Sequence, residues 1–305
     1  MRINKVISLI LFMILATFML IGCKTTSQKT VAFIPQMLDN GEYWDGLNNS
    51  LKSEVEKQGY IYELRGSEEW GADKQAEIIE TAISENVDVI IIAPAGVDPL
   101  FPAIKKANDA NIPIILIDCD IDRELLSSYG AKVTTFVGAS NYDGGQEVGN
   151  MISEKLPKGS EVAILAGSVD SVNGESRCDG FNDAVIKNGM NVVAKLSTDW
   201  SADSGYKGAK LILQSHPNLK AIFTVNGAVY EGAKQAAEEL DIKFLAGTFD
   251  CDETILKNIS DGDILCTFDQ NSQGMAESVA EVINKLFAGD PVDDVTTSEG
   301  KLITK

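Results

Sequence analysis

The sequence predicts an α/β protein of two similar lobes, each built on a largely parallel sheet. Short apolar runs alternate regularly with longer amphipathic segments, which is the pattern of parallel strands joined by right-handed helical crossovers. The alternation occurs in two successive sets, and no Pro-, Gly- or Ser-rich linker separates them. We therefore expect two lobes that are joined by an ordered hinge.

The first set has regular elements up to residue 110 and a gap before its last strand. We predict helices at 44–58, which ends at Gly59, at 72–86, which has Ile79 and Ile83 on one face, and at 100–110. Residues 121–132 show no regular pattern. The predicted strands are 31–34, 60–64, 87–93, 112–118 and 135–138.

The second set continues the same alternation to the C-terminal part of the chain. Its predicted helices are 144–156, 176–188, 202–215, 228–240, 253–260 and 272–287. Its predicted strands are 161–165, 191–196, 221–225, 244–249 and 265–268.

Polar residues end several of these strands. Residues 112–117 form a continuous apolar run, typical of a parallel strand covered on both faces, and Asp118 follows it. Asn226, Asp250 and Gln270 lie at the ends of three later strands. Ligands of open parallel sheets bind off the carboxyl ends of strands, so we expect these side chains to face one crevice.

The composition indicates a folded, acidic protein. The chain has 305 residues, 44% of them hydrophobic, and a formal net charge of −19. Its length exceeds one typical hydrophobic core, in agreement with two lobes. The negative charge opposes binding to nucleic-acid phosphates, so no nucleic-acid partner is expected.

The N-terminus has the features of a secretory signal. Arg2 and Lys5 precede the apolar stretch 6–22, and residues 20–23 read Leu-Ile-Gly-Cys before a polar segment. These four residues resemble the bacterial lipoprotein lipobox, which implies cleavage before Cys23 and lipidation of that residue. The alternative is an uncleaved membrane anchor, since the stretch is almost long enough to span a bilayer. Both readings place the rest of the chain outside the cytoplasmic membrane.

The sequence gives little support for an enzyme. No GxGxxG follows the first predicted strand, and the single histidine, His216, has no partner nucleophile in any recognisable motif. The cysteines after the lipobox form no CxxC pair that would indicate zinc, and we expect small buried thiols, although this compartment permits a disulfide. They are Cys119, Cys178, Cys251 and Cys266. We expect no catalytic residues, no cofactor and no metal.

From Val31 onward, the order and spacing of the motifs resemble a known family. The matching stretches are 112–118, 136–141 with Gly144 and Gly145, Arg177 with Gly180 and Phe181, 221–226, 247–250 and 269–271. They resemble the type I periplasmic sugar-binding proteins of the ribose-binding group, and through them the effector domains of LacI-type repressors. The resemblance implies two Rossmann-like lobes joined by three crossover strands, with a monosaccharide in the cleft between them.

The resemblance also implies the ligand-binding residues. By position, Tyr43 and Trp44 would stack on the sugar ring, and Trp200 would cover its opposite face. Polar residues would bond the sugar hydroxyls, because carboxylates and amides accept or donate and arginine donates in a fork. These residues are Asp118, Asn141, Arg177, Asn226, Asp250 and Gln270.

The expected organisation and partners follow from these readings. Residues 1–22 would be the signal peptide and 23–30 a tether; the N-terminal lobe would comprise 31–139 plus 271–297, and the C-terminal lobe 140–270 plus 298–305. The expected partners are a pentose or hexose, an ABC permease that imports it, and the membrane through the lipid anchor. We expect a monomer.

Several alternatives stay open. The ribose group usually has an arginine after the position of Asp118, where this chain has Cys119, and an acid after Asn226, where it has glycine. The start of the chain and residues 118–120 also resemble relatives that bind the autoinducer-2 signal, although those lack a counterpart of Arg177. The open alternative is therefore a receptor for that signal or for another small polar ligand, including one that signals to a membrane sensor kinase.

Two site residues have simpler structural explanations. Asp250 could cap the helix that follows it, although Asp252 is available for that role. Asp118 and Arg177 could form an ion pair that serves the fold without any ligand.

Overall fold

The computed structural model describes residues 28–38, 41–96, 98–169 and 171–305. The predicted signal peptide, Cys23 and the first part of the tether lie outside these described residues. Within the described part, no helix is both long enough and apolar enough to cross a membrane.

Strands and helices alternate along the chain. The first half contains β1 (Thr30–Ile34), α1 (Glu42–Lys57), β2 (Ile61–Leu64), α2 (Ala72–Ser84), β3 (Val89–Ile92), α3 (Leu100–Asp109), β4 (Ile114–Ile117), α4 (Arg123–Ser128) and β5 (Thr135–Ala139). The second half contains α5 (Asn141–Lys155), β6 (Glu161–Ala166), α6 (Val172–Lys187), β7 (Asn191–Ser197), α7 (Ala202–Ser215), β8 (Leu219–Thr224), α8 (Gly227–Leu240), β9 (Leu245–Phe249), α9 (Glu253–Asp261), β10 (Cys266–Asp269), α10 (Ser272–Ala288), β11 (Val295–Ser298) and β12 (Lys301–Thr304).

These elements form two sheets of the same design. One has the strand order β11-β5-β4-β3-β1-β2 and is parallel throughout. The other has the order β12-β10-β9-β8-β6-β7 and is parallel except for β12. Helices α1–α4 and α10 pack on the first sheet to form the N-lobe, and α5–α9 pack on the second to form the C-lobe. The predicted fold of two α/β lobes is confirmed.

The sequence of β4 shows why helices cover both faces of the N-lobe sheet. All four of its residues are fully buried. Ile115 and Ile117 belong to the core cluster that contains Leu47 of α1, whereas Ile114 and Leu116 belong to the cluster that contains α2 and α3. Because successive strand side chains point to opposite faces, a continuous apolar run requires a helix on each side.

The chain passes between the lobes three times, at the junctions β5–α5, β10–α10 and β11–β12. Two crossings are tied together, since the Nδ2 of Asn271 donates to the carbonyl of Glu299 at 3.1 Å. Asn271 itself has a φ of 58°, the left-handed conformation that asparagine tolerates. We propose the predicted ranges, 31–139 plus 271–297 and 140–270 plus 298–305, as the two domains.

Some elements differ from the sequence-based prediction. Residues 121–132 contain the short helix α4, whose first turn is capped by the Asp122 side chain. Helices α5 and α6 begin at 141 and 172 rather than at 144 and 176, because Ser140 and Ser171 cap them. The edge strands β11 and β12 were not predicted, since each is short and only partly apolar.

Candidate functional site

The end of β4 shapes the N-lobe side of the cleft between the lobes. Asp118 follows β4 with a φ of 65°, a left-handed conformation that aspartate adopts more readily than most residues. Its backbone N–H donates to the carbonyl of Val137 on β5 at 2.9 Å. Asp118 therefore still pairs with β5 at the point where the chain turns away from the sheet. The residue is only 5% exposed.

The C-lobe repeats this geometry at the end of β9, which holds the same place in its sheet as β4 does. Asp250 has a φ of 73°, and its N–H donates to the carbonyl of Phe268 at 3.0 Å. The cap of α9 is Asp252, whose Oδ1 accepts from the N–H of Ile255 at 2.7 Å. The Asp250 carboxylate is therefore not used as a helix cap.

Three side chains donate to the Asp118 carboxylate. The Tyr43 hydroxyl donates to Oδ1 at 2.5 Å, and the Cys119 thiol donates to Oδ2 at 2.9 Å. Asn173, on α6 of the C-lobe, donates from Nδ2 to the Asp118 carbonyl at 3.0 Å and approaches Oδ2 at 3.3 Å. Burial, with the adjacent Asp118 charge, raises the pKa of Tyr43 and of Cys119 well above their ordinary values, so both groups remain protonated donors at neutral pH.

Asp250 has fewer partners than Asp118. Gln270 donates from Nε2 to its Oδ1 at 2.6 Å, and Oδ2 makes no hydrogen bond to any described residue. Burial raises the pKa of Asp250, while the Arg177 guanidinium and Gln270 lower it and the Asp118 charge raises it further. The two carboxylates and the guanidinium are thus close enough to influence one another, and one carboxylate oxygen is available as an acceptor.

Arg177 is held within the C-lobe and is 3% exposed. Its Nε donates to Oδ1 of Asn141 at 2.6 Å, and its Nη1 donates to the carbonyl of Val225 at 3.0 Å. The guanidinium lies 4.3 Å from the centroid of the Phe249 ring, within cation–π range. In the described chain no ion pair joins Arg177 to Asp118. Arginine has five N–H donors, so three remain available to a ligand.

Aromatic rings border the polar residues on both lobes. Tyr43 and Trp44 lie in the first turn of α1, and their rings meet edge to face with a centroid distance of 5.4 Å. On the C-lobe, the Trp200 ring centroid lies 5.6 Å from the Arg177 guanidinium. Gly167 makes room for that ring, because a Cβ at this position would lie 2.5 Å from it. Stacking of these rings on a ligand stays a prediction.

Asn226 has a structural function in addition to its predicted one. Its Oδ1 caps α8 by accepting from the N–H of Val229 at 3.0 Å, and its Nδ2 donates to the carbonyl of Trp200 at 3.3 Å. The side chain thus fixes the loop that carries the tryptophan. Its predicted contact with a ligand stays a prediction.

The structure brings the predicted site residues together in three small networks. Tyr43 joins Trp44 to Asp118 on the N-lobe, Arg177 joins Asn141 to Trp200 on the C-lobe, and Asp250 pairs with Gln270. Each network contains at least one of the polar strand-end residues or the arginine. The charges of Asp118, Asp250 and Arg177 all act on the Tyr43 hydroxyl, so the networks of the two lobes lie close together.

Two further cleft residues were not predicted from the sequence. Gln36 follows β1 and donates from Nε2 to the carbonyl of Pro94 at 3.0 Å and to the Sγ of Cys119 at 3.4 Å. It stands at the carboxyl end of a strand, so the rule that identified Asp118 could have found it. Asn173 lies in the first turn of α6, ahead of the predicted start of that helix, and no sequence signal marked it.

The four described cysteines are free thiols. Cys178 and Cys266 are buried, as expected for small side chains in a core, whereas Cys119 and Cys251 are partly exposed.

Two surface cavities lie outside the cleft. One, of about 260 Å³, is lined by residues of α4 and β11, including Arg123 and Val295. The other, of about 430 Å³, is lined by residues of the C-lobe, including Tyr142 and Val169. Neither cavity is lined by Asp118, Asp250, Arg177 or a tryptophan, so the cleft remains the candidate site.

Comparison with known proteins gives a consistent result. A family profile described as "Periplasmic binding protein domain" matches residues 31–291. The D-ribose/D-allose-binding protein of Pseudomonas aeruginosa is 30% identical over 276 residues, which cover 88% of this chain and 85% of that protein. The ribose import binding protein RbsB of Bacillus subtilis is 26% identical, over 87% of this chain and 84% of its own length.

Solved structures share the fold. An ABC transporter periplasmic solute binding protein from Actinobacillus succinogenes, with bound D-allose, superposes with a TM-score of 0.86 at 24% identity, covering 91% of this chain and 98% of that one. A solute binding protein of an ABC transporter from Burkholderia multivorans has a TM-score of 0.83 at 29% identity, covering 91% of this chain and 100% of its own.

Proposed function

The chain belongs to the periplasmic binding protein domain family, and on that premise we propose that it captures a monosaccharide in the cleft and delivers it to an ABC importer outside the cytoplasmic membrane. The observation that carries the proposal is the polar group formed by Asp118, Arg177 and Asp250, to which both lobes contribute. The relatives described above, which are named for ribose, allose or sugar import, support the same conclusion.

The available hydrogen-bonding groups suit a sugar. A monosaccharide carries hydroxyls that both donate and accept, and Arg177 offers three free donors while Asp250 offers a free carboxylate oxygen. The rings of Trp44 and Trp200 provide apolar surfaces for the C–H faces of the sugar. Since the groups come from two lobes, a bound sugar favours the closed arrangement in which all of them reach it.

The comparisons favour a sugar over the autoinducer-2 signal as the ligand. The relatives and structures described above carry names of sugars or of sugar importers. Arg177, which the autoinducer-2 receptors lack, lies in the cleft with three donors unused by the protein. The site is therefore better matched to a polyhydroxylated ring.

The sugar can be identified by its effect on thermal unfolding. A ligand that binds only the folded protein, present at about 100 times its Kd, should add about 2.7 kcal/mol to the free energy of unfolding. We expect at least one pentose or hexose in a panel of pentoses, hexoses, polyols and nucleosides to raise the melting temperature. If only a nucleoside or a polyol raised it, the ligand class would be wrong; no shift with any sugar would contradict the proposal.

The lipobox-like sequence supports a lipid anchor at the N-terminus, and a monomer is proposed for the mature protein. Changing Cys23 to alanine should abolish incorporation of a radiolabelled fatty acid and leave the precursor uncleaved by the lipoprotein signal peptidase, because the acylated thiol is gone. A matched Cys251→Ala variant should be labelled and processed normally. Equal labelling of the Cys23 variant and the unchanged protein would exclude this anchor.

A further inference from the structure

Asn173 of the C-lobe contacts the end of β4 in the N-lobe. Its Nδ2 lies 3.0 Å from the carbonyl oxygen of Asp118, 3.3 Å from the carboxylate Oδ2 and 3.5 Å from the Sγ of Cys119. A side-chain amide nitrogen carries two hydrogens, which these three acceptors share. The contacts therefore fix the position of Asp118 from the lobe to which it does not belong.

The same contacts decide which oxygen of Asp118 is left for a ligand. A carboxylate has about four lone-pair positions. On Oδ2, the donors are Cys119 and Asn173; on Oδ1, the donor is Tyr43 alone. The remaining acceptor position lies on Oδ1, so Asn173 helps to aim Asp118 without occupying the side that a ligand would use.

We propose that Asn173 is a positioning residue of the binding cleft, which orients Asp118 and joins the two lobes in the closed form. The proposal rests on the binding function proposed above. Because its hydrogen bonds join protein to protein, they favour closure by the same factor for every ligand. A residue that touched the ligand would instead change the preference between ligands.

The first test measures affinity by calorimetry with two probes, D-ribose and D-allose. Asn173→Ala should raise the Kd of each sugar that binds, and by a similar factor for each. We expect a rise of about 3-fold to 10-fold, as for the loss of neutral hydrogen bonds. Asn173→Asp should raise the Kd further, because its carboxylate would face that of Asp118. Unchanged affinity for every sugar that binds would overturn the proposal.

The matched control is Asn150→Ala. Asn150 is an exposed asparagine of α5 whose Oδ1 accepts from Asn188 at 3.0 Å, so its bond stays within the C-lobe. This variant should keep the affinities of the unchanged protein. If it weakened binding as much as Asn173→Ala does, a general effect of helix packing would explain both, and the proposal would fail.

A second test needs no ligand and uses the Cys119 thiol, which Asn173 covers. Iodoacetamide labelling, followed by mass spectrometry of peptides, gives the rate at Cys119 relative to that at Cys251, a partly exposed thiol of the C-lobe. Asn173→Ala should raise this ratio about 3-fold to 10-fold, since the closed form is less populated, and Asn150→Ala should not. An unchanged ratio would overturn the role of Asn173, whereas failure of all sugars to bind would count against the proposed function alone.

Discussion

Changing Arg177 to alanine is expected to weaken sugar binding by about 30-fold to 1,000-fold, or about 2–4 kcal/mol. The three donors that Arg177 has available are charged and lie in a buried site, where hydrogen bonds to ionised groups are strongest. Truncation would leave a sugar hydroxyl without its partner after closure. Titration calorimetry with the sugar found in the melting screen measures the loss.

The same variant should also lose about 1–3 kcal/mol of stability without any ligand, because the buried carbonyl of Val225 would lose its donor. Asn141, Val225 and Phe249 all belong to the C-lobe, so this effect does not depend on closure. Arg177→Lys should keep the charge but not the planar fork, and should recover only part of the affinity.

A basic residue of the same lobe provides the control for Arg177. Lys234 of α8 pairs with Asp263 at 2.6 Å and donates to Asn258 at 2.7 Å, and within the described residues it makes no hydrogen bond or ion pair with a predicted ligand-binding residue. Lys234→Ala removes one positive charge from the C-lobe, yet it should leave the Kd unchanged. If Arg177→Ala kept its affinity for sugar, or if Arg177→Ala and Lys234→Ala lost equal affinity, Arg177 would not be a ligand-binding residue.

The second large effect is expected at Gly145, where α5 and α6 approach closely. A Cβ added at this position would overlap the backbone oxygen of Arg177 and lie 2.9 Å from the backbone nitrogen of Phe181. Gly145→Ala should therefore force the helices apart and cost about 1–3 kcal/mol or more in the free energy of unfolding. Because the displaced backbone carries Arg177, the variant should also bind sugar more weakly.

Gly232 allows the structural and functional effects to be separated. A Cβ there would overlap the backbone oxygen of Ala202, so α7 and α8 would be forced apart in the same way. Gly232→Ala should lose comparable stability in denaturant unfolding but lose less affinity for sugar than Gly145→Ala, since the backbone that it displaces, at Ala202, does not carry Arg177. If both variants kept full affinity, the packing of α5 on α6 would have no influence on the site.

The sequence predicted the parts of the site that follow from strand geometry. Asp118 and Asp250 could be recognised because an apolar strand must be buried, and its carboxyl end must meet the cleft. Arg177 could be assigned to the site only because the sequence resembles a known family. No pattern in its own helix, α6, identifies a side chain that turns inward to the carbonyl of Val225.

The parts that could not be predicted depend on contacts between distant segments. Asn173 acts through the end of a strand in the other lobe, and its partner lies 55 positions earlier in the chain. The strands β11 and β12 are short and partly exposed, and they become strands only because β5 and β10 offer unpaired edges. Neither local propensity nor periodicity contains that information.

The three crossings between the lobes also determine when the protein can finish folding during its synthesis. The last segment, from α10 to β12, completes both sheets, and Met275 and Val279 of α10 are fully buried against the N-lobe. A nascent chain that has not yet reached this segment leaves the β5 edge and one apolar face of the first sheet uncovered. Such long-range closure is slow, so neither sheet can be completed until this last segment has been synthesised.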